Sequence, residues 1–410
     1  MGSRRLSSFA NTALFISAAI ALLATAAWAA GTTKLIYSFA GNADGEYTDT
    51  ELVTDSAGNL YGTSVQGGTS SSGTVFQVTT SGVHTVLYNF TGSADGAEPY
   101  KGVTLDTAGN LYGTAVGGGG GSCDGGCGVV FKLTNSSGTW TQSVIHTFTG
   151  GTDGSGPGSP VSFDKHGNLY GTTPTGGANG VGVVYQMKPD GTGGWKFRVI
   201  HVFTGGADGA GGSAGRLIVD AAGNLYGVCT TGGTNGFGTV FEISPSHGQW
   251  QFTTLYAFKD QPDGGLPYGG LIFDKAGNLY GTTYYAGAHD VGTVYKLARS
   301  NGTWTESVLY SFKGGTDGAQ PIGGLVTDAA GSLYGTTSGG GAASCSCGVI
   351  FKMTRGANGT WTESVAYRFP GSPSPGFSYN GMVGDSAGTF YGATVHGGGN
   401  NDGTIYKFTP

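Results

Sequence analysis

One tripeptide constrains this chain more than any other feature. Leu-Tyr-Gly recurs at Leu60, Leu111, Leu169, Leu225, Leu279 and Leu333, and Phe390-Tyr391-Gly392 is a seventh copy. Successive copies are 51, 58, 56, 54, 54 and 57 residues apart. An aspartate stands five positions before each copy, at Asp55, Asp106, Asp164, Asp220, Asp274, Asp328 and Asp385. Glycine follows each aspartate by three, as at Gly58 and Gly277. A fixed period of this length marks units that stack or close into a ring, because one unit is too small to bury a core alone.

Each unit reads as four short strands. In the fifth copy they fall at residues 270–274, 278–283, 292–297 and 304–312, separated by Gly-, Asn- and Asp-rich turns. Runs of four to eight residues rich in Val, Tyr, Thr and Phe between such turns are strand signals. The Asp-x-x-Gly turn follows from its chemistry: the carboxylate accepts backbone N–H bonds and the glycine takes positive φ. No segment after residue 30 carries a 3.6-residue period, so the expected fold class is all-β.

Four strands in about 50 residues is the size of a propeller blade. The ends agree with that. Residues 34–39 match a fourth strand, residues 403–408 match a third strand, and the two partial units complete one blade. The expectation is a seven-bladed β-propeller over residues 30–410, closed by the N-terminal strand pairing into the last blade. A ring closed in this way leaves no exposed sheet edge. An open solenoid would not need complementary ends, and two sandwiches would not need seven equivalent units.

Glycine makes up 83 of 410 residues, which raises the question of low complexity. Collagen is excluded because glycine does not recur at every third position. Disorder is disfavoured by 21 Tyr, 21 Phe and 6 Trp. With 19 Lys+Arg against 25 Asp+Glu, the chain is not built for nucleic acid. Residues 1–29 read as a signal peptide: Arg4 and Arg5, an apolar run, then Ala27-Trp28-Ala29 before the cut. Ser3-Arg4-Arg5 leaves the Sec and twin-arginine routes both open. The expected mature chain is exported, extracellular or periplasmic, monomeric and without a membrane span.

The segment Gly-Gly-Leu-Ile-Phe-Asp-x-x-Gly-Asn-Leu-Tyr-Gly-Thr-Thr, followed by Gly-Thr-Val-Tyr-Lys-Leu, resembles the GloVer tandem repeat. The resemblance covers nearly all of residues 31–410 and implies a bacterial exported repeat protein. It implies no particular reaction. The chain departs from the "choice-of-anchor" pattern of that family, because the sequence ends at Pro410 directly after a strand. Release is therefore expected over surface anchoring.

Chemistry is expected on one face, where the loops from fourth to first strand and from second to third strand meet. Asp44, Asp95, Asp153, Asp208, Asp263 and Asp317 each precede a glycine there, and Ser374 takes the seventh place. A ring of acids suggests a cation, but Ca²⁺ needs its oxygens packed together and blades hold these apart. They read as turn residues. Glu306 and Glu363 read as outer-strand residues, outside the ring. The acids of this face outside the repeat pattern are Asp124, Asp290 and Asp402. With His289 and His396 they are the ligand-binding candidates. No catalytic residue is assigned, because nothing in the spacing pairs two carboxylates. Neither His289 nor His396 has a second histidine or cysteine at ligand spacing, and the two cysteine pairs fall in loops of non-adjacent blades, so no metal or cofactor is expected. Trp140, Trp195, Trp250, Trp304 and Trp361 begin fourth strands and read as packing residues between blades. Cys123 with Cys127, and Cys345 with Cys347, are disulfide candidates in an exported chain.

These readings converge on a non-catalytic binding or structural module that contacts a protein or a polysaccharide through its glycine-rich loops. The alternative is a carbohydrate-active hydrolase or lyase with its site at the channel mouth.

Overall fold

The computed structural model describes residues 31–212, 215–341 and 345–410. The segment read as a signal peptide lies outside them. The described residues are almost wholly strand and turn, with short 3₁₀ turns at Asn42–Asp44 and Gly315–Asp317. No helix among them is long and apolar enough to cross a membrane.

Seven sheets of four antiparallel strands form the seven blades, and Thr50–Glu51 of the first blade also pairs in parallel with Lys101–Gly102 of the second. Blade 5 is typical, with Ile272–Phe273 innermost, then Leu279–Thr283, Thr293–Ser300 and Thr303–Ser311. Its register pairs Leu279 with Leu297 and Lys296 with Ser307. The last blade is completed from the front of the chain. Thr32–Ser38 pairs antiparallel with Thr404–Thr409, matching Thr33 to Phe408 and Leu35 to Tyr406. The ring closure expected from the two partial units is therefore observed.

The core lies between blades. One cluster joins Tyr226, Val240 and Phe258 of blade 4 to Leu271, Leu279 and Tyr295 of blade 5. The seam is packed in the same way, with Phe39, Tyr391 and Ile405 against Leu60, Phe76 and Val78. The tryptophans serve this packing. Trp140 meets Tyr61 of the preceding blade at 6.3 Å, and Trp195, Trp250, Trp304 and Trp361 repeat the contact at 5.8 to 6.5 Å.

The repeat motif has a local cause. Asp274 Oδ1 accepts the N–H groups of Ala276 and Asn278, and its Oδ2 accepts the Asn278 amide and the Tyr280 hydroxyl. The aspartate, asparagine and tyrosine are thus one hydrogen-bonded unit in five copies, and in the last two Ser332 and Thr389 keep only the backbone N–H bond to the aspartate. The glycine after the tyrosine is required by the third strand. A Cβ at Gly281 would stand 2.4 Å from the Tyr295 hydroxyl, and one at Gly62 would stand 2.7 Å from the Phe76 ring. Contacts that short are not tolerated in a packed interior.

Glu306 and Glu363 lie on outer strands, as expected, but their carboxyls face the neighbouring blade. Each is half-buried, and each Oε1 is buried without a hydrogen-bond partner among the described residues. Burial, reinforced by the Asp317 charge, pushes the Glu363 carboxyl up to about 8. Burial and Asp263 push Glu306 up to about 7. An acid whose folded value is raised stabilises the fold below its unfolded value, and that contribution is lost as pH rises through the folded one. Thermal melts from pH 5 to 9 are therefore expected to decline less steeply in Glu363→Gln than in the wild type. Parallel curves would show that Glu363 does not stay protonated in the fold.

Candidate functional site

Both loop classes share one face in every blade. Backbone bridges join them at Glu46–Gln66, Ala97–Gly117, Ser155–Thr175, Ala210–Thr231, Gly265–Tyr285 and Gly376–His396, with Ala319–Gly339 in blade 6. The aspartates of the Asp-Gly turns are held locally. Asp95 accepts the Tyr88 hydroxyl and the Thr91 N–H, and Asp317 accepts the Tyr310 hydroxyl and the Lys313 N–H. Asp208 sits 3.1 Å from His201 Nε2, which takes the place of that tyrosine.

At the centre of this face is a funnel of about 820 Å³. Sites for small ligands run from ~300 to ~1,000 Å³. Its wall is largely aromatic and aliphatic, including Tyr47, Tyr100, Tyr268, Tyr379, Val116 and Ile322. Tyr47 is 39% exposed.

The floor is polar and closed. Lys101 Nζ lies 2.9 Å from Asp49 Oδ1 and donates to Asn380 Oδ1 at 3.2 Å. The Asn380 amide also donates to Asp49. Tyr100 donates to Asp49 as well, and the Lys101 ammonium stands 4.7 Å from the centre of the Tyr100 ring. Burial alone would raise the Asp49 carboxyl. The Lys101 charge and the bonds from Tyr100, Lys101 and Asn380 outweigh it and hold Asp49 below the usual carboxylate range. Beneath the floor the space narrows to about 30 Å³. Blades 4 to 6 approach the axis through glycine there. A Cβ at Gly215 would meet Gly270 N at 2.3 Å, and one at Gly269 would meet Gly323 O at 2.6 Å. Lower still, Arg216 Nε faces Glu51 Oε2 at 3.3 Å, and its NH1 donates to the Val161 carbonyl at 2.7 Å.

The residues singled out from the sequence are spread over the rim. Asp124 is exposed in the loop between Cys123 and Cys127, whose sulfurs are 2.07 Å apart. Cys345 and Cys347 also pair, with sulfurs 2.21 Å apart. Asp290 accepts the Gln261 amide at 2.7 Å, next to exposed His289. Asp402 and His396 are brought close. Burial and the nearby Glu46 and Asp44 charges raise the Asp402 carboxyl, while His396 opposes them. None of the five lines the funnel. The sequence reading passed over Asp49, Lys101 and Asn380. The available signal was their departure from the repeat: Asp49 aligns with Tyr100, Tyr268 and Tyr379, and Lys101 aligns with Gly269 and Gly323.

Seven four-stranded blades around a funnel closed at its floor define a seven-bladed β-propeller. The model of the Gloeobacter/Verrucomicrobia repeat family matches residues 120–346 and 251–410, and the chain belongs to that family. No curated protein matches the chain. Among solved structures it is similar to the extracellular domain assigned to a one-component system of B. thetaiotaomicron. That match has a TM-score of 0.57 and 11% identity, over 91% of this chain and 39% of that one. The chain thus spans about two fifths of that structure's length. It is also similar to the polysaccharide lyase Uly1, with a TM-score of 0.50 and 13% identity over 94% of each chain. At such identities the likeness is one of fold.

Proposed function

We propose that this chain is an exported binding propeller that holds a glycan in the funnel of its loop face. The observation that carries this reading is the funnel itself: tyrosine rings on the wall above a floor of fixed hydrogen-bonding groups. Tyrosine offers a flat apolar face to sugar C–H groups and a hydroxyl to their oxygens. A few placed polar groups in a mostly apolar cleft fix a ligand's orientation. Asp124, the Asp290–His289 neighbours and the Asp402–His396 neighbours stand on different blades and outside the funnel, which favours binding over hydrolysis or elimination there.

The test is a panel of polysaccharides measured for both retention and cleavage by the full chain. Retention without new chain ends is the expected result. Cleavage that Asp49→Asn or Asp290→Ala abolishes would establish the hydrolase or lyase reading instead.

A further inference from the structure

We infer that the funnel takes an uncharged saccharide, recognised by Tyr47 and Glu98, two rim residues that hold a left-handed backbone. The inference rests on the glycan reading above.

The third residue after the aspartate position of each Asp-Gly turn is left-handed in all seven blades. Blades 3 and 4 use glycine there, Gly156 with φ 62° and Gly211 with φ 82°. The other five blades use Tyr47, Glu98, Leu266, Gln320 and Phe377, with φ from 54° to 59°. The fold explains the backbone. Glu98 N donates to Ser72 O of the preceding blade at 2.9 Å, while Glu98 O accepts Val116 N of its own blade at 3.2 Å. Leu266 makes the same two bonds, to Phe237 O and from Tyr284 N. At Phe377 the fold explains the side chain as well, since it packs against the core shared by blades 6 and 7, but at Tyr47 and Glu98 it does not. Glycine meets this geometry with less strain, and a non-glycine residue there costs on the order of 1 kcal/mol or more.

Tyr47 and Glu98 line the funnel and receive little in return from the fold. Tyr47 is 39% exposed, and its one ring contact is edge-on to His396 at 5.8 Å. Glu98 is exposed, and its carboxylate makes no hydrogen bond or ion pair among the described residues. Strained residues with unspent groups at a cleft mouth point to a ligand.

Charge selects the class of that ligand. The charged residues lining the funnel, among those described, are Asp49, Glu98 and Lys101. Lys101 is committed to Asp49 and Asn380. A uronate or sulfated sugar would meet the Glu98 carboxylate with no ammonium left to compensate, on a chain of net charge −6. A neutral pyranose can stack on Tyr47 and donate its hydroxyls to Glu98.

Polygalacturonate and its fully methyl-esterified form share a backbone and differ in charge. Affinity electrophoresis of the full chain in both, beside neutral β-glucans and mannans, separates the possibilities. Neutral polymers are expected to retard the chain at least tenfold more than the acid form. Tyr47→Gly and Glu98→Gly are each expected to weaken that retardation tenfold while the melting temperature holds or rises. Retardation by the acid form alone would overturn the uncharged ligand and leave the glycan reading standing. Retardation by no polymer would overturn both. Unweakened binding in both variants, or a lower melt in both, would overturn the rim assignment.

Discussion

Lys101→Ala is expected to destabilise the propeller by about 3–5 kcal/mol, the cost of leaving a buried charge without its partner. Asp49 is 6% exposed and accepts bonds from Lys101, Asn380 and Tyr100. Without the ammonium its carboxylate must stay charged in the buried floor, with Asn380 and Tyr100 as its remaining side-chain donors, or take up a proton. Its depressed folded value gives the sign of the pH effect. The pair stabilises the fold above the unfolded carboxylate range, and that contribution is lost as pH falls through the folded value. Urea unfolding at pH 7 should therefore show the largest deficit in Lys101→Ala, with much of it recovered in Lys101→Met combined with Asp49→Asn. A deficit below about 1 kcal/mol, the scale of a surface pair, would mean that water reaches the floor.

The ring was legible in the sequence because its causes repeat. Each copy presents the same aspartate and tyrosine, and five of the seven the same asparagine, to one hydrogen-bonded hairpin, and the same glycine to one aromatic ring. Seven copies of one local solution stand out from any single-residue noise. The funnel floor has the opposite character. Asp49 meets Lys101 across 52 residues and Asn380 across 331, and each occurs once. A period search averages away such residues. Aligning the seven copies and asking where a charge replaces glycine or tyrosine would have found Asp49 and Lys101. It would not have shown that Lys101 is already neutralised, since that depends on side-chain distances between neighbouring blades. The burial of Glu363 was illegible for a related reason. Its repeat position places it on the outer strand, as observed, but its burial and the nearby Asp317 charge come from tertiary packing.

Deleting residues 31–40 is expected to lower the melting temperature by roughly 10 °C and to promote aggregation. The segment supplies the outermost strand of the last blade, Thr32–Ser38, bonded to Thr404–Thr409. It also supplies Phe39, which is fully buried in the cluster spanning blades 7 and 1. Loss of a buried phenylalanine alone costs about 3–5 kcal/mol. The deletion adds the loss of a strand ladder, of the Phe39 N–H bond to Gly403 O at 3.0 Å, and of the Tyr37 hydroxyl bond to Asp44 at 2.6 Å. Phe39→Ala separates the two contributions, since it empties the seam while keeping the strand. If packing dominates, Phe39→Ala reproduces most of the melting shift without aggregating. If edge protection dominates, only the deletion scatters light, because only it bares the backbone of Thr404–Thr409 to a second chain. A deletion variant that melts like the wild type would mean that hydrogen bonding along this strand is not what closes the ring.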